Sequence, residues 1–215
     1  MVLIFTKIII LIEQILCKLT LLSHLFFQFF FLTITPGPDI AYVFFKSVSH
    51  GKNEGFKLTF GLTTGLFIHT LLVVFGVSKI LNSNEIYFDI IKYFGFLYFM
   101  YLFFTSFFQK NYIKNEGKFK RNSFITGLMM NLLNPKVAIF FIAFLPGFIF
   151  DDSLSINLQF FILGLIFWFI ATSVFLLVTI FSEKINSSFE NFVNKEILKY
   201  LQSLMYFFIA VYILI

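Results

Sequence analysis

The chain alternates between long apolar runs and short polar interludes, most of them basic. Six runs approach or exceed the roughly 20 residues that a helix needs to cross a bilayer core. They cover residues 19–45, 58–80, 86–108, 123–150, 156–181 and 197–215. A basic hinge separates the first two, with Lys46, His50, Lys52 and Lys57 around glycines 51 and 55. The most basic interlude, 109–122, holds Lys110, Lys114, Lys118, Lys120 and Arg121. An acidic turn at Asp151–Asp152 and a polar segment carrying Lys184, Lys195 and Lys199 separate the last three runs.

Two runs are interrupted. In the first, Thr35-Pro36-Gly37-Pro38-Asp39 places two prolines around a glycine. Proline lacks a backbone donor and clashes with the preceding turn, so a helix cannot pass through unbroken. The fourth run breaks at Asn134-Pro135-Lys136 and again at Pro146-Gly147. Freed backbone groups at membrane depth cost several kcal/mol each, so such breaks persist only inside protein or beside a watery cavity. A shift of 97 residues lays Pro38 on Pro135, Ile40 on Val137, Ala41 on Ala138 and Phe44 on Phe141, and sets Asp39 opposite Lys136. The same shift lays the second run on the fifth. Three spans per half would give the halves opposite orientations in the membrane, the plan of many secondary transporters. The alternative is chance similarity between apolar, Phe-rich segments.

Composition fixes the class. Of 215 residues, 59% are hydrophobic and 13% charged, more apolar surface than a soluble domain of this size can bury. The net charge of +5 gives no reason to expect nucleic acid, because the basic residues lie between the apolar runs. The loops after the first, third and fifth runs hold three, five and three Lys/Arg, against four in the opposite segments. The positive-inside bias therefore predicts both termini outside. Cys17 is the single cysteine, which rules out an internal disulfide or a thiolate cluster. Residues 1–18 carry Lys7, Glu13 and Gln14 and lack a small-residue cleavage site, and are expected to form an interfacial lead-in to one domain over 19–215.

Charges inside spans are expensive and mark function or pairing. Asp39 and Lys136 either hold the charged ends of a zwitterion and carry the coupling proton, or lock to each other in a salt bridge; Lys136 has the further option of snorkelling to the interface. Asp39 could also cap its own half-helix. His69 suits proton relay, or is a buried histidine bonded to nearby backbone. Asn131 and Asn134 hydrogen-bond a substrate or cap carbonyls freed where the helix opens, capping being favoured for Asn131. Gly61 and Gly65 are spaced for close helix approach, which also permits a homodimer. The glycines at 51, 55 and 76 read as packing too, and Trp168 with the tyrosines at 93, 98 and 101 as core or interface aromatics. HExxH, GxSxG, P-loop and GxGxxG signatures are missing, so an enzyme is not expected, and neither is a cofactor or metal.

TPGPD at 35–39, HGKNEGFKLTFGLTTGLFIH at 50–69, YFGFLYFMYL at 93–102 and NLLNPKVAIFFIAFLPGF at 131–148 occur in that order. Together they resemble the LysE/RhtB family of small bacterial amino-acid exporters, from about Leu21 to the C-terminus. The resemblance implies six spans, an inner-membrane location and export of an amino acid or derivative, coupled to protons in an antiport cycle. Four positions depart from the family pattern. Gly147 stands where glutamine is usual, and Phe103, Ser203 and Ala210 stand where glycines are. The expected architecture is an all-α polytopic membrane protein, with six transmembrane helices as two inverted three-helix halves and helices 1 and 4 broken. The expected site comprises Pro36, Gly37, Pro38, Asp39, His69, Asn131, Asn134, Pro135 and Lys136, with an amino acid and membrane lipid as partners. A protein that moves lipid, or a structural subunit, is the alternative.

Overall fold

The computed structural model describes residues 20, 23–34, 38–79, 85–108, 122–151, 153–192 and 195–214. The lead-in 1–18, Pro36, Gly37 and the basic stretch 109–121 lie outside them, as does the side chain of Pro38. Every regular element among the described residues is helical. The first, α1, is Ser23–Ile34. Next come α2 (Pro38–His50) and α3 (Lys52–Leu72), the latter widening into a π turn at Val73–Val77. Then follow α4 (Glu85–Phe108), α5 (Ser123–Leu132) and α6 (Pro135–Ile139). A π turn, Phe140–Phe144, and a 3-10 turn, Leu145–Phe148, extend α6. The chain closes with α7 (Ile156–Phe192) and α8 (Lys195–Leu214).

Three stretches are long and apolar enough to cross a membrane: Lys52–Val77, Asp89–Phe108 and Ile156–Ser182. A fourth is broken: α5 and the segment Pro135–Phe148 meet at a bend of 49°. The described parts of the first and last expected spans are shorter apolar helices, Ser23–Ile34 and Tyr200–Leu214. Three to four of the six expected spans are thus visible by length and hydropathy.

Two expectations about the polar interludes are corrected. The hinge between the first two spans is a single residue. α2 runs to His50, α3 starts at Lys52, and only Gly51 lies between, at φ 85°. That backbone region strains any residue with a β-carbon, so Gly51 serves the turn and not packing. Its carbonyl accepts from the amides of Glu54 and Gly55, which starts the next helix. The polar stretch after the fifth span is also helical, since α7 continues to Phe192.

The break in the fourth span follows from local chemistry. Leu133 and Asn134 leave the helix, and Pro135 opens α6 at the first position, where its missing N–H costs nothing. The Asn134 Oδ1 accepts from the Lys136 amide and caps the new helix.

α3 is the central helix, packed on α2, α5 and α7, while α4 pairs with α8. Its fit against α5 is reciprocal. A β-carbon on Gly61 would collide with the Phe124 carbonyl, and one on Gly127 with the Leu58 carbonyl. The two backbones touch because neither residue has a side chain there. Gly65 faces Asn131 in the same seam. The glycine face that the sequence offered to a second copy is therefore covered within the chain. Gly76, in contrast, packs against nothing within 4 Å. A cluster of rings fills the centre, with Phe29, Phe140 and Phe167 mutually in contact at 4.7–5.7 Å between centroids. The outer face of α4 is apolar and exposed, Phe94 by 72%, as suits a surface in contact with lipid. Tyr93 and Tyr101 lie on that face, and Tyr98 packs against the core.

Candidate functional site

The start of α2 meets the break in the fourth span. Asn134 Nδ2 donates to Asp39 Oδ2 at 3.2 Å, so one side chain caps α6 and holds the carboxylate that opens α2. The other carboxylate oxygen, Asp39 Oδ1, is buried and has no hydrogen-bond partner among the described residues. A buried oxygen of this kind loses hydration without compensation, and in native structures it needs an explanation. Asp39 and Lys136 line one cavity of about 30 Å³. They do not form a direct ion pair within 4.0 Å, which removes the reading of a salt bridge locking the halves. The Lys136 ammonium lies 5.6 Å from the centre of the Tyr206 ring, a cation–π arrangement with α8.

The rest of the cavity wall is almost wholly carbon. Leu32 and Thr33 come from α1, Ile40 from α2, Leu66 from α3 and Val137 from α6. α7 supplies Phe167, Ala171 and Phe175, four residues apart on one helix face. Thr33 spends its hydroxyl on the Phe29 carbonyl, so the two charges are the main polar features.

His69 and Asn131 do not line this cavity. His69 is buried and its Nε2 donates to the Asn131 carbonyl at 3.3 Å, one of the carbonyls near the break. Its ring stacks on Phe141 at 5.8 Å. The histidine thus ties the span-2 helix to the break, the backbone-bonded arrangement. Asn134 is the asparagine whose side chain caps a helix end here, and what it caps is the Lys136 amide and not a freed carbonyl. Asn131 is 1% exposed, packs its amide against Gly65, and its Oδ1 has no hydrogen bond among the described residues. Pro135 is exposed, acting at the helix start and not as a cavity wall.

Sequence reasoning found both charges and the capping asparagine but missed the contribution of α7. The stripe at 167, 171 and 175 was present, but an apolar stripe at helical spacing reads as core. It also missed Gln159, whose buried amide accepts from the amides of Phe150 and Asp151 and donates to the carbonyls of Asp151 and Leu154. A lone glutamine at the start of an apolar span was the available signal. A second polar contact lies at the ends of α3 and α5, where Ser123 Oγ donates to Glu54 Oε2 at 2.5 Å and Lys57 pairs with Glu54 Oε1 at 2.6 Å.

A family model described as LysE type translocator matches residues 30–215, a range that takes in both breaks and all eight helices except the start of the first. The chain belongs to the LysE type translocator family. Similar proteins include an uncharacterized membrane protein, YrhP, of Bacillus subtilis strain 168. It is 31% identical over 67% of this chain and 75% of its own length. Leucine efflux proteins of Enterobacter sp. strain 638 and Salmonella typhimurium strain LT2 are 26% and 28% identical. Those matches cover 63% and 62% of this chain and, in both cases, 66% of the relative. No solved structure matches. Of the positions where this LysE-type chain departs from the expected pattern, Ser203 and Ala210 remain buried, so small residues still serve close contact there. Phe103 instead packs its ring on Phe207 at 5.6 Å. Gly147 is exposed, and its carbonyl accepts from Tyr212 Oη at 3.5 Å.

Proposed function

We propose that this chain exports a small amino acid from the cytoplasm by alternating access. Asp39 would hold the substrate ammonium and Lys136 its carboxylate. The observation that carries this reading is the buried Asp39 Oδ1, which has no hydrogen-bond partner among the described residues, beside a cavity that Lys136 shares. A zwitterion supplies both missing charges at once, and each is attractive in a site walled largely by carbon. Family membership and the leucine efflux relatives support the substrate class. The cavity of about 30 Å³ suits one or two waters and not an amino acid, so the site must widen to take up substrate. Loading requires α1 and α2 to part from α6. Asp39, freed of substrate, is the candidate to take up the proton that returns the carrier, an antiport cycle. The proposed frame is six spans in a bacterial inner membrane as two inverted halves, with both termini outside. The facing contacts of the second span with the fifth, and of the third with the sixth, support it.

The test is efflux of labelled leucine from proteoliposomes under an imposed proton gradient. Asp39→Asn and Lys136→Ala should each lower the rate at least about tenfold, the equivalent of about 1.4 kcal/mol. Parental rates in both variants, with normal insertion, would sink the assignment. For the topology, tags at each end should be reachable by impermeant reagents in intact spheroplasts; protection of both ends reverses the orientation.

A further inference from the structure

We infer that Ala171 sets the size of the substrate side chain. The inference rests on the export reading above and names the part of that site that selects among amino acids. All charge in the cavity comes from the two broken spans, Asp39 on α2 and Lys136 on α6. α7, which the sequence did not connect with the site, brings only carbon. Its three lining residues share one face and are buried, at 3%, 1% and 4% exposure for Phe167, Ala171 and Phe175.

The two rings differ from the residue between them. Phe167 is held in place, with its ring against Phe29, Phe140 and Phe141 at 4.7, 5.3 and 5.5 Å. It cannot yield to a bulkier substrate without disturbing the central ring cluster. Ala171 is one turn further along and offers a single methyl between two aromatic walls. α7 itself is anchored on α3 at both ends of this face. Gly164 takes the Thr70 side chain, and Thr179 Oγ1 lies 3.2 Å from Thr59 Oγ1. The backbone that carries Ala171 is therefore held on α3 on both sides of the cavity face. With the zwitterion held by Asp39 and Lys136, the side chain of an aliphatic amino acid is the group that meets this wall. A second charge on the substrate would find no counter-charge among the lining residues.

The test compares efflux rates of labelled alanine, valine, leucine, phenylalanine and lysine within one proteoliposome preparation, so that protein amount cancels in the ratios. The parent should move leucine and valine and transport lysine at least about 100-fold more slowly. One methyl or methylene in an apolar pocket is worth about 10–200-fold in discrimination. Ala171→Val should therefore lower the leucine-to-alanine ratio by at least about tenfold, and Ala171→Gly should raise phenylalanine relative to leucine. Ala171→Gly removes one carbon only, so it decides the matter if the valine variant fails to insert. Unchanged ratios in the active variants overturn the role of Ala171 while export by the parent, and its loss in Asp39→Asn, keep the export reading. Lysine transport equal to leucine also overturns the inference. A parent that moves none of the five amino acids overturns both.

Discussion

Asn134 shows how much one side chain can carry at a helix break. Its oxygen caps α6 through the Lys136 amide, and its nitrogen orients the Asp39 carboxylate. The two duties can be separated. Asn134→Ser keeps an oxygen able to cap and loses the donor to Asp39, whereas Asn134→Ala loses both. A lost cap costs about 0.5–2 kcal/mol, so the alanine variant should melt earlier in detergent than the serine variant. Both should export more slowly than the parent, and to a similar extent, because both leave Asp39 unheld. A serine variant with parental export would confine Asn134 to capping. Asp39, Lys136 and Asn134 were legible in the sequence because each is a polar residue where an apolar run or a proline makes it conspicuous. Ala171 was not, since an alanine between phenylalanines has no chemical contrast with core. The exchange of roles between Asn131 and Asn134 was illegible for a different reason. Which asparagine caps depends on whether the helix stops before or after Leu133, and the sequence did not fix that within one turn.

At the level of elements, α3 and α5 form one body. Glu54 and Ser123 bond at one end, Gly61 lies against the Phe124 backbone and Gly127 against that of Leu58 in the middle, and His69 reaches the Asn131 carbonyl at the other. Interfaces of this kind gain from van der Waals contact more than from hydrophobicity, because lipid is as apolar as the side chains. Gly61→Val would force its branches into the Phe124 carbonyl, and over-packing typically costs about 1–3 kcal/mol. A lower melting temperature in detergent is expected, and a variant as stable as the parent would contradict the close contact. The spacing of Gly61 and Gly65 announced a close approach, but not the partner, which turned out to be α5 of the same chain. The one-residue hinge and the long α7 were misjudged because charged residues read as loop, while a helix tolerates them wherever it leaves the apolar layer.

For the whole molecule, the union of α3 and α5 limits how alternating access can work. If the chain divides into residues before and after the third span, these two helices belong to different halves, yet they are fastened along their length. In the proposed cycle rocking would then occur elsewhere, with α1, α2 and α6 moving around the joined pair. A disulfide between Glu54→Cys and Ser123→Cys should therefore leave leucine efflux within about twofold of the reduced protein, a change of about 0.4 kcal/mol. Arrest of efflux by the cross-link, relieved on reduction, would show that this seam opens. The break in the fourth span and the class of protein were readable from prolines and hydropathy alone. The way the spans share contacts was not, because apolar segments of equal length carry little information about which neighbour each will choose.

The glycine seam also bears on how the chain is made. α3 emerges from the ribosome about 60 residues before α5 is complete, at about 5–20 residues per second. During that interval Gly61, Gly65, Glu54 and His69 have no partner for the face they share. A nascent chain that stops short of Ser123 would present this bare groove to the lipid or to any helix nearby, with Glu54 bonded to Lys57 but lacking its Ser123 partner. The first half is consequently a poor candidate for independent assembly, and the moment at which span 4 arrives becomes the point at which the bundle is committed.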